Sequence, residues 1–237
     1  MKALTRTVGS FWNSSIGKKF LVALTGIALL LFLPGHLAGN LLVFAGQDAI
    51  NEYGVWLHDL GHGAAIWIAR IGLLAAFVLH IVLTIQLTVA NRAARSEYAY
   101  PSTVQASRSS RIMIWSGLTI LAFVIYHLLH FTFKVSNEYD GESYMTTLPG
   151  HEGEVHNVHK MMIDGFSWTP ATLFYIIAIS LLCSHLSHGF ASVLQTLGVR
   201  SSKTSTLVKR LGWAYALVMW LGFISIPISI WIFGYGR

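Results

Sequence analysis

Five long apolar stretches, separated by polar, charged or glycine-bearing connections, organise this chain. They run at about Phe20 to Ala45, Ala64 to Ala90, Ile112 to Lys134, Ala171 to Gln195 and Leu211 to Gly234. Each reaches the roughly 20 residues that a helix needs to cross a bilayer. The pattern predicts an all-α membrane protein with five transmembrane helices in a single domain over residues 1–237. One connection is long and polar, Val135 to Pro170, and predicts an outer cap with a short helix before Trp168. Neither an internal repeat nor a glycine-rich phosphate loop interrupts the pattern.

Composition changes the picture by removing alternatives. Of 237 residues, 54% are hydrophobic and only 11% charged, against roughly a quarter charged in soluble domains. One core cannot hide that much apolar surface, so lipid must surround the spans, and an ordinary soluble enzyme is excluded. The single cysteine, Cys183, lies inside an apolar run. It excludes an intrachain disulfide, a covalently attached c-type haem and a cysteine-ligated iron–sulfur cluster within the chain. The segment MKALTRTVGSFWNSSIGKK is basic and has no small-residue cleavage site, so it reads as a retained cytoplasmic segment.

The net charge of +6 follows membrane sidedness rather than nucleic-acid binding. Lys2, Arg6, Lys18 and Lys19 precede the first span. Arg92, Arg95, Arg108 and Arg111 lie between the second and third, and Arg200, Lys203, Lys209 and Arg210 between the fourth and fifth. The opposite connections hold Lys134, Lys160 and Arg237 against nine of the ten acids: Asp48, Glu52, Asp59, Glu138, Asp140, Glu142, Glu152, Glu154 and Asp164. Cations collect on the cytoplasmic side, so the N-terminus is expected inside.

Titratable groups in lipid need a reason, and 11 histidines are many. Four spans carry them internally: His36 in the first, His80 in the second, His127 and His130 in the third, His185 and His188 in the fourth. At a rise of about 1.5 Å per residue, His36 and His127 lie roughly 22 Å from the cytoplasmic end of their spans. His80 and His185 lie roughly 21 to 24 Å from the outer end of theirs. The first and third spans therefore pair in the outer half and the second and fourth in the inner half, as diagonal partners in a bundle of the first four helices. Two opposed neutral imidazoles are the axial ligands of a six-coordinate b-type haem, so depth predicts two haems stacked across the membrane. Gly26, Gly35, Gly39, Gly72 and Gly189 leave room for a ring or for close helices. On depth alone His130 competes with His127, and His188 with His185, because residues three apart share a helix face. The bland alternatives are interhelical hydrogen bonds or a proton or ion pathway, although no span holds a central carboxylate. In the outer loop, His151, His156 and His159 near HEGEVHNVH form a weaker zinc candidate that lacks the one-face HExxH spacing.

The sequence resembles the dihaem cytochrome b membrane-anchor subunit of succinate:quinone oxidoreductases, bacterial succinate dehydrogenase and fumarate reductase, across all five spans. GHLAGNLLVFAG followed by NEY, ARIGLLAAFVLH followed by NRAAR, SGLTILAFVIYHLLHFT, and HLSHGFASVLQTLGV carry the resemblance. It implies His36 with His127 at an outer haem and His80 with His185 at an inner one. His185 stands thirteen residues before Gly198, as the family's ligand does before its helix-exit glycine. The resemblance also implies electron passage between an iron–sulfur subunit, reduced by a flavoprotein, and a membrane quinone, with menaquinone expected, in a bacterial inner membrane. Succinate oxidation is the first expectation. Fumarate reduction, another quinone-linked dehydrogenase such as a hydrogenase or formate dehydrogenase, a haem-free anchor and a histidine-lined transporter are the alternatives. Arg70, near the outer interface, is a candidate partner for haem propionates, with Arg111, Lys209 and Arg210 at the inner interface; His130 and His188 are further candidates around the haems. A quinone needs an apolar slot and a proton-accepting side chain at its carbonyls; the resemblance implies an acid near the outer haem, and Glu52 and Asp59, with Tyr53 and Trp56 nearby, are the candidates, though neither acid sits in a clean family motif.

Overall fold

The computed structural model describes Trp12, residues 14–94 and residues 108–237, with side chains from residue 113 onward in the last stretch. Five helices are long and apolar enough to cross a membrane: Ser15–Ala45, Ala64–Ala93, Met113–Thr132, Thr169–Thr196 and Ser205–Trp231. The chain is thus a multi-pass membrane protein, as the apolar pattern predicts. The first and fifth spans begin at Ser15 and Ser205, earlier than the expected Phe20 and Leu211. Polar first turns stay helical beyond the lipid, and the Ser14 hydroxyl caps the first helix by accepting from the Gly17 N–H at 3.0 Å.

The elements are α1 (Ser15–Leu41), a 3-10 turn Leu42–Ala45, α2 (Gln47–Asp59), α3 (Ala64–Ala93) and α4 (Arg108–His127), which runs on into a π turn Leu128–Thr132. Then follow a 3-10 turn Glu142–Tyr144, β1 (Met145–Thr147), β2 (Glu154–His156), α5 (Val158–Ser167), α6 (Thr169–Thr196) and α7 (Ser205–Trp231). Around the bundle α3 packs on α1, α1 on α6 and α6 on α4, while α3 and α4 make little contact. That order makes α1 with α4, and α3 with α6, the diagonals, which is the pairing expected from histidine depth. The open fourth side is an apolar cleft of about 310 Å³ lined by Leu74, Phe77, Val78 and Ile81 of α3 and by Leu121, Val124 and Ile125 of α4, with Leu128.

A bundle of the first four spans is an incomplete description, because α7 packs on α6 more extensively than any other two described helices pack on each other. Small residues allow the approach: a Cβ on Gly212 would lie 2.9 Å from the Ser187 backbone oxygen of α6. That neighbour is backbone and cannot swing aside. Gly212→Ala is therefore expected to force α7 off α6 at about 1–3 kcal/mol, read as a lower unfolding midpoint in micelles; an unchanged midpoint would contradict the close packing. Higher up, Pro34 lies inside α1 and has no N–H for the Leu30 carbonyl, and the Tyr215 hydroxyl of α7 donates to that carbonyl at 2.6 Å.

On the outer side the all-α expectation needs one correction: β1 and β2 form an antiparallel hairpin with Met145 opposite His156 and Thr147 opposite Glu154. Thr146, Thr147 and Val155 favour extended backbone, and Gly150 and Gly153 turn between the strands at φ of 82° and 83°. The short helix expected before Trp168 is α5, capped by Asn157, whose side chain accepts from the Lys160 N–H at 2.9 Å. It rests on α2, a helix that its polar sequence conceals. Asn51 of α2 is buried and bridges the two helices, its amide donating to Asn157 Oδ1 at 3.4 Å and its oxygen accepting from the His159 N–H at 3.1 Å. Tyr144 donates to Asp164 at 2.9 Å, Lys160 pairs with the same carboxylate, and the Lys160 ammonium sits over the Tyr144 ring.

Candidate functional site

The outer pair is built by α1 and α4. His36 stacks on Phe32 one turn below it, at 5.0 Å between ring centroids. Across the bundle its ring meets that of His127 edge-on, with centroids 5.8 Å apart and planes at 87°. Immediately after His127 the helix widens, and the Phe133 N–H bonds the Leu128 carbonyl five residues back at 2.7 Å. Such π turns recur at functional positions. The wider turn lets both His127 and His130 reach one hydroxyl, that of Tyr175 on α6, which lies 3.2 Å from His127 Nδ1 and 3.4 Å from His130 Nδ1. His130 is buried and its other nitrogen meets the Tyr139 hydroxyl at 3.5 Å, so both of its ring nitrogens are engaged. His127 Nε2 has no hydrogen-bond partner among the described residues.

The inner pair is held by neighbouring hydroxyls. Thr25 Oγ1 of α1 lies 3.2 Å from His80 Nδ1, and Ser116 Oγ of α4 lies 3.1 Å from His185 Nδ1. The His80 ring lies against Gly26 of α1, where an added Cβ would be in ordinary contact with its Cε1 at 3.5 Å. His188 is half-buried and makes no hydrogen bond among the described residues. Sequence reasoning did not anticipate Thr25, Ser116 or Tyr175. The available signal was a hydroxyl residue within an apolar span, too common to single out.

The other candidates are dispersed. Arg70 is half-buried with its guanidinium over Trp67, 5.2 Å from Cζ to the ring, and the one ion pair among the described residues, Lys160 with Asp164, does not involve it. Lys209 and Arg210 are exposed, whereas Lys2, Arg6 and Arg95, and the side chains of Arg108 and Arg111, lie outside the described part. Glu52 and Asp59 fall on the exposed face of α2, away from the histidine rings' hydrogen bonds. Tyr53 turns inward and covers Gly39, where a Cβ would lie 2.5 Å from its ring, and it stacks on Trp56 at 5.7 Å.

His151, His156 and His159 do not converge. No group of three or more histidine, cysteine or acidic side chains placed to hold a metal ion occurs among the described residues. His151 is exposed, His159 faces Tyr235, and His156 Nε2 is buried without a hydrogen-bond partner. Burial pushes His58, His156 and His159 below the ordinary histidine value of 6.5, with Arg70 adding at His58 and Lys134 at His156. The fold therefore disfavours the charged form of these rings. Their contribution to stability is complete above 6.5 and is lost as pH falls below it toward the lowered folded values. Amide exchange in the hairpin is expected to lose protection between about pH 7 and about pH 5, after correction for intrinsic rates. Constant protection would show that these histidines do not stabilise the cap.

Whether these residues suit a haem is a matter of distance and donors. Two imidazoles on opposite sides of one metal, at bonds of about 2 Å, place their ring centroids roughly 6 Å apart, close to the 5.8 Å of His36 and His127. The apolar cleft between α3 and α4 is lined by none of the four paired histidines. Compared with family models, curated proteins and solved structures, the chain matches none.

Proposed function

We propose that this chain is the dihaem cytochrome b membrane anchor of a bacterial succinate:quinone oxidoreductase, working with a flavoprotein and an iron–sulfur subunit. The observation that carries the reading is the His36–His127 pair, opposed across a diagonal of the bundle with ring centroids 5.8 Å apart, a metal-bridging distance. When bound, two b-type haems supply reversible one-electron carriage. His36 and His127 would hold the outer one, and His80 and His185 the inner one. Arg70, half-buried and in no ion pair among the described residues, would neutralise outer propionates, with Arg111 the sequence's candidate for the inner ones. The N-terminus is cytoplasmic in this reading, and the basic face formed by the inner connections receives the iron–sulfur subunit.

Quinone would bind at the outer end of α1, where Tyr53 and Trp56 form an aromatic wall. Glu52 and Asp59, on the exposed face of α2, would supply the proton exchange. Menaquinone is the expected species. A haem assay with a dithionite-reduced minus oxidised spectrum tests the proposal on the purified protein. Two b-type haems per chain and co-purification with a succinate-oxidising flavoprotein are expected. One haem or none would sink the dihaem reading, and two haems with a different dehydrogenase would leave the cytochrome and reassign its complex.

A further inference from the structure

Each inner histidine meets a hydroxyl from a helix other than its own, and counting hydrogens shows which atom donates. Thr25 Oγ1 lies 2.8 Å from the Leu21 carbonyl and 3.2 Å from His80 Nδ1. Ser116 Oγ lies 3.0 Å from the Met113 carbonyl and 3.1 Å from His185 Nδ1. A hydroxyl has one hydrogen, and a carbonyl can only accept. Away from water, helical Ser and Thr give that hydrogen to the backbone three or four residues back. Both hydroxyls then face the imidazoles with lone pairs, so each Nδ1 must carry the ring proton and each Nε2 is left with its lone pair.

The geometry points to Thr25 and Ser116 as paired positioning residues that hold His80 and His185 as Nδ1–H tautomers and present both Nε2 atoms as donors to one inner metal centre. The inference rests on the haem reading above. The outer pair is built otherwise: His36 meets the Asn40 amide nitrogen, itself a donor, 3.4 Å from each ring nitrogen, and His127 shares its hydroxyl with His130. A histidine that donates from Nδ1 is a more basic ligand at Nε2. A more basic ligand favours the oxidised iron, so losing the acceptor should raise the reduction potential.

Redox titration of the reduced-minus-oxidised spectrum of the intact complex tests this. Thr25→Val and Ser116→Ala are each expected to raise the midpoint of one and the same haem, a tenfold gain for the reduced form reading as about 59 mV. Thr25→Ser and Ser116→Thr, which keep the hydroxyl, are expected to stay at the unaltered value. Should Thr25→Val fail to accumulate, the Ser116 variants read the same centre from the other side of the bundle. Unmoved midpoints, shifts in two different haems, or equal shifts in the hydroxyl-keeping variants would each overturn the inference. Absence of haem from the unaltered chain would instead overturn the reading on which it rests.

Discussion

If the chain carries the two haems proposed for it, replacing His127 by alanine is expected to remove one of them from the purified protein, whereas replacing His130 is expected to leave both in place. The two residues are three apart on α4 and share the Tyr175 hydroxyl, so sequence spacing alone does not separate them. Their remaining nitrogens do. His130 Nε2 is occupied by Tyr139 at 3.5 Å, while His127 presents a nitrogen without a partner among the described residues and faces His36 at 5.8 Å. Of the two, His127 is the ring that meets His36 across the bundle. Haem content and the amplitude of the reduced-minus-oxidised band read the result. Loss of haem on His130→Ala with retention on His127→Ala would reverse the assignment. The analogous comparison at the inner site sets His185→Ala, expected to lose haem, against His188→Ala, expected to keep it. There the Ser116 contact marks His185 as the oriented ring.

Tyr215→Phe is expected to destabilise the bundle by about 1–3 kcal/mol, the cost of leaving a buried acceptor unmade. Pro34 removes the N–H that the Leu30 carbonyl would otherwise receive, and lipid offers no replacement. The Tyr215 hydroxyl supplies it from the fifth span at 2.6 Å. The same bond docks α7 on α1, so the loss is felt in both. A double-mutant cycle isolates the effect: Pro34→Ala restores the helical N–H, and in that background Tyr215→Phe should cost little. Unfolding midpoints of the four proteins in lipid micelles give the coupling. An equal cost of Tyr215→Phe in both backgrounds would show that the hydroxyl does not serve the proline-orphaned carbonyl.

Much of the candidate site is legible in the chain because helix rise turns residue number into depth. His36 and His127 were expected at one level, and their rings meet. The acids of the outer connection show the limit of that method. Glu52 and Asp59 lie at a suitable depth, yet α2 turns both to the exposed side and sends Tyr53 inward onto Gly39. Depth carries no information on azimuth for a short helix whose polar residues, Asn51 among them, are partly buried. The β hairpin escaped for a related reason, since three-residue strands between turns leave too little alternation to read.

Sequence by itself determined the number of membrane-crossing helices, their approximate ends and the levels of the histidines, because hydropathy and helix rise are local properties summed along one dimension. Tertiary structure decided the cyclic order α3, α1, α6, α4, the engagement of α7, and which hydroxyl meets which imidazole. Those choices depend on rotation about each helix axis and on contacts between residues far apart in the chain. Thr25 and His80, or Tyr215 and Leu30, acquire their roles only when packing brings a lone pair and a hydrogen to within bonding distance.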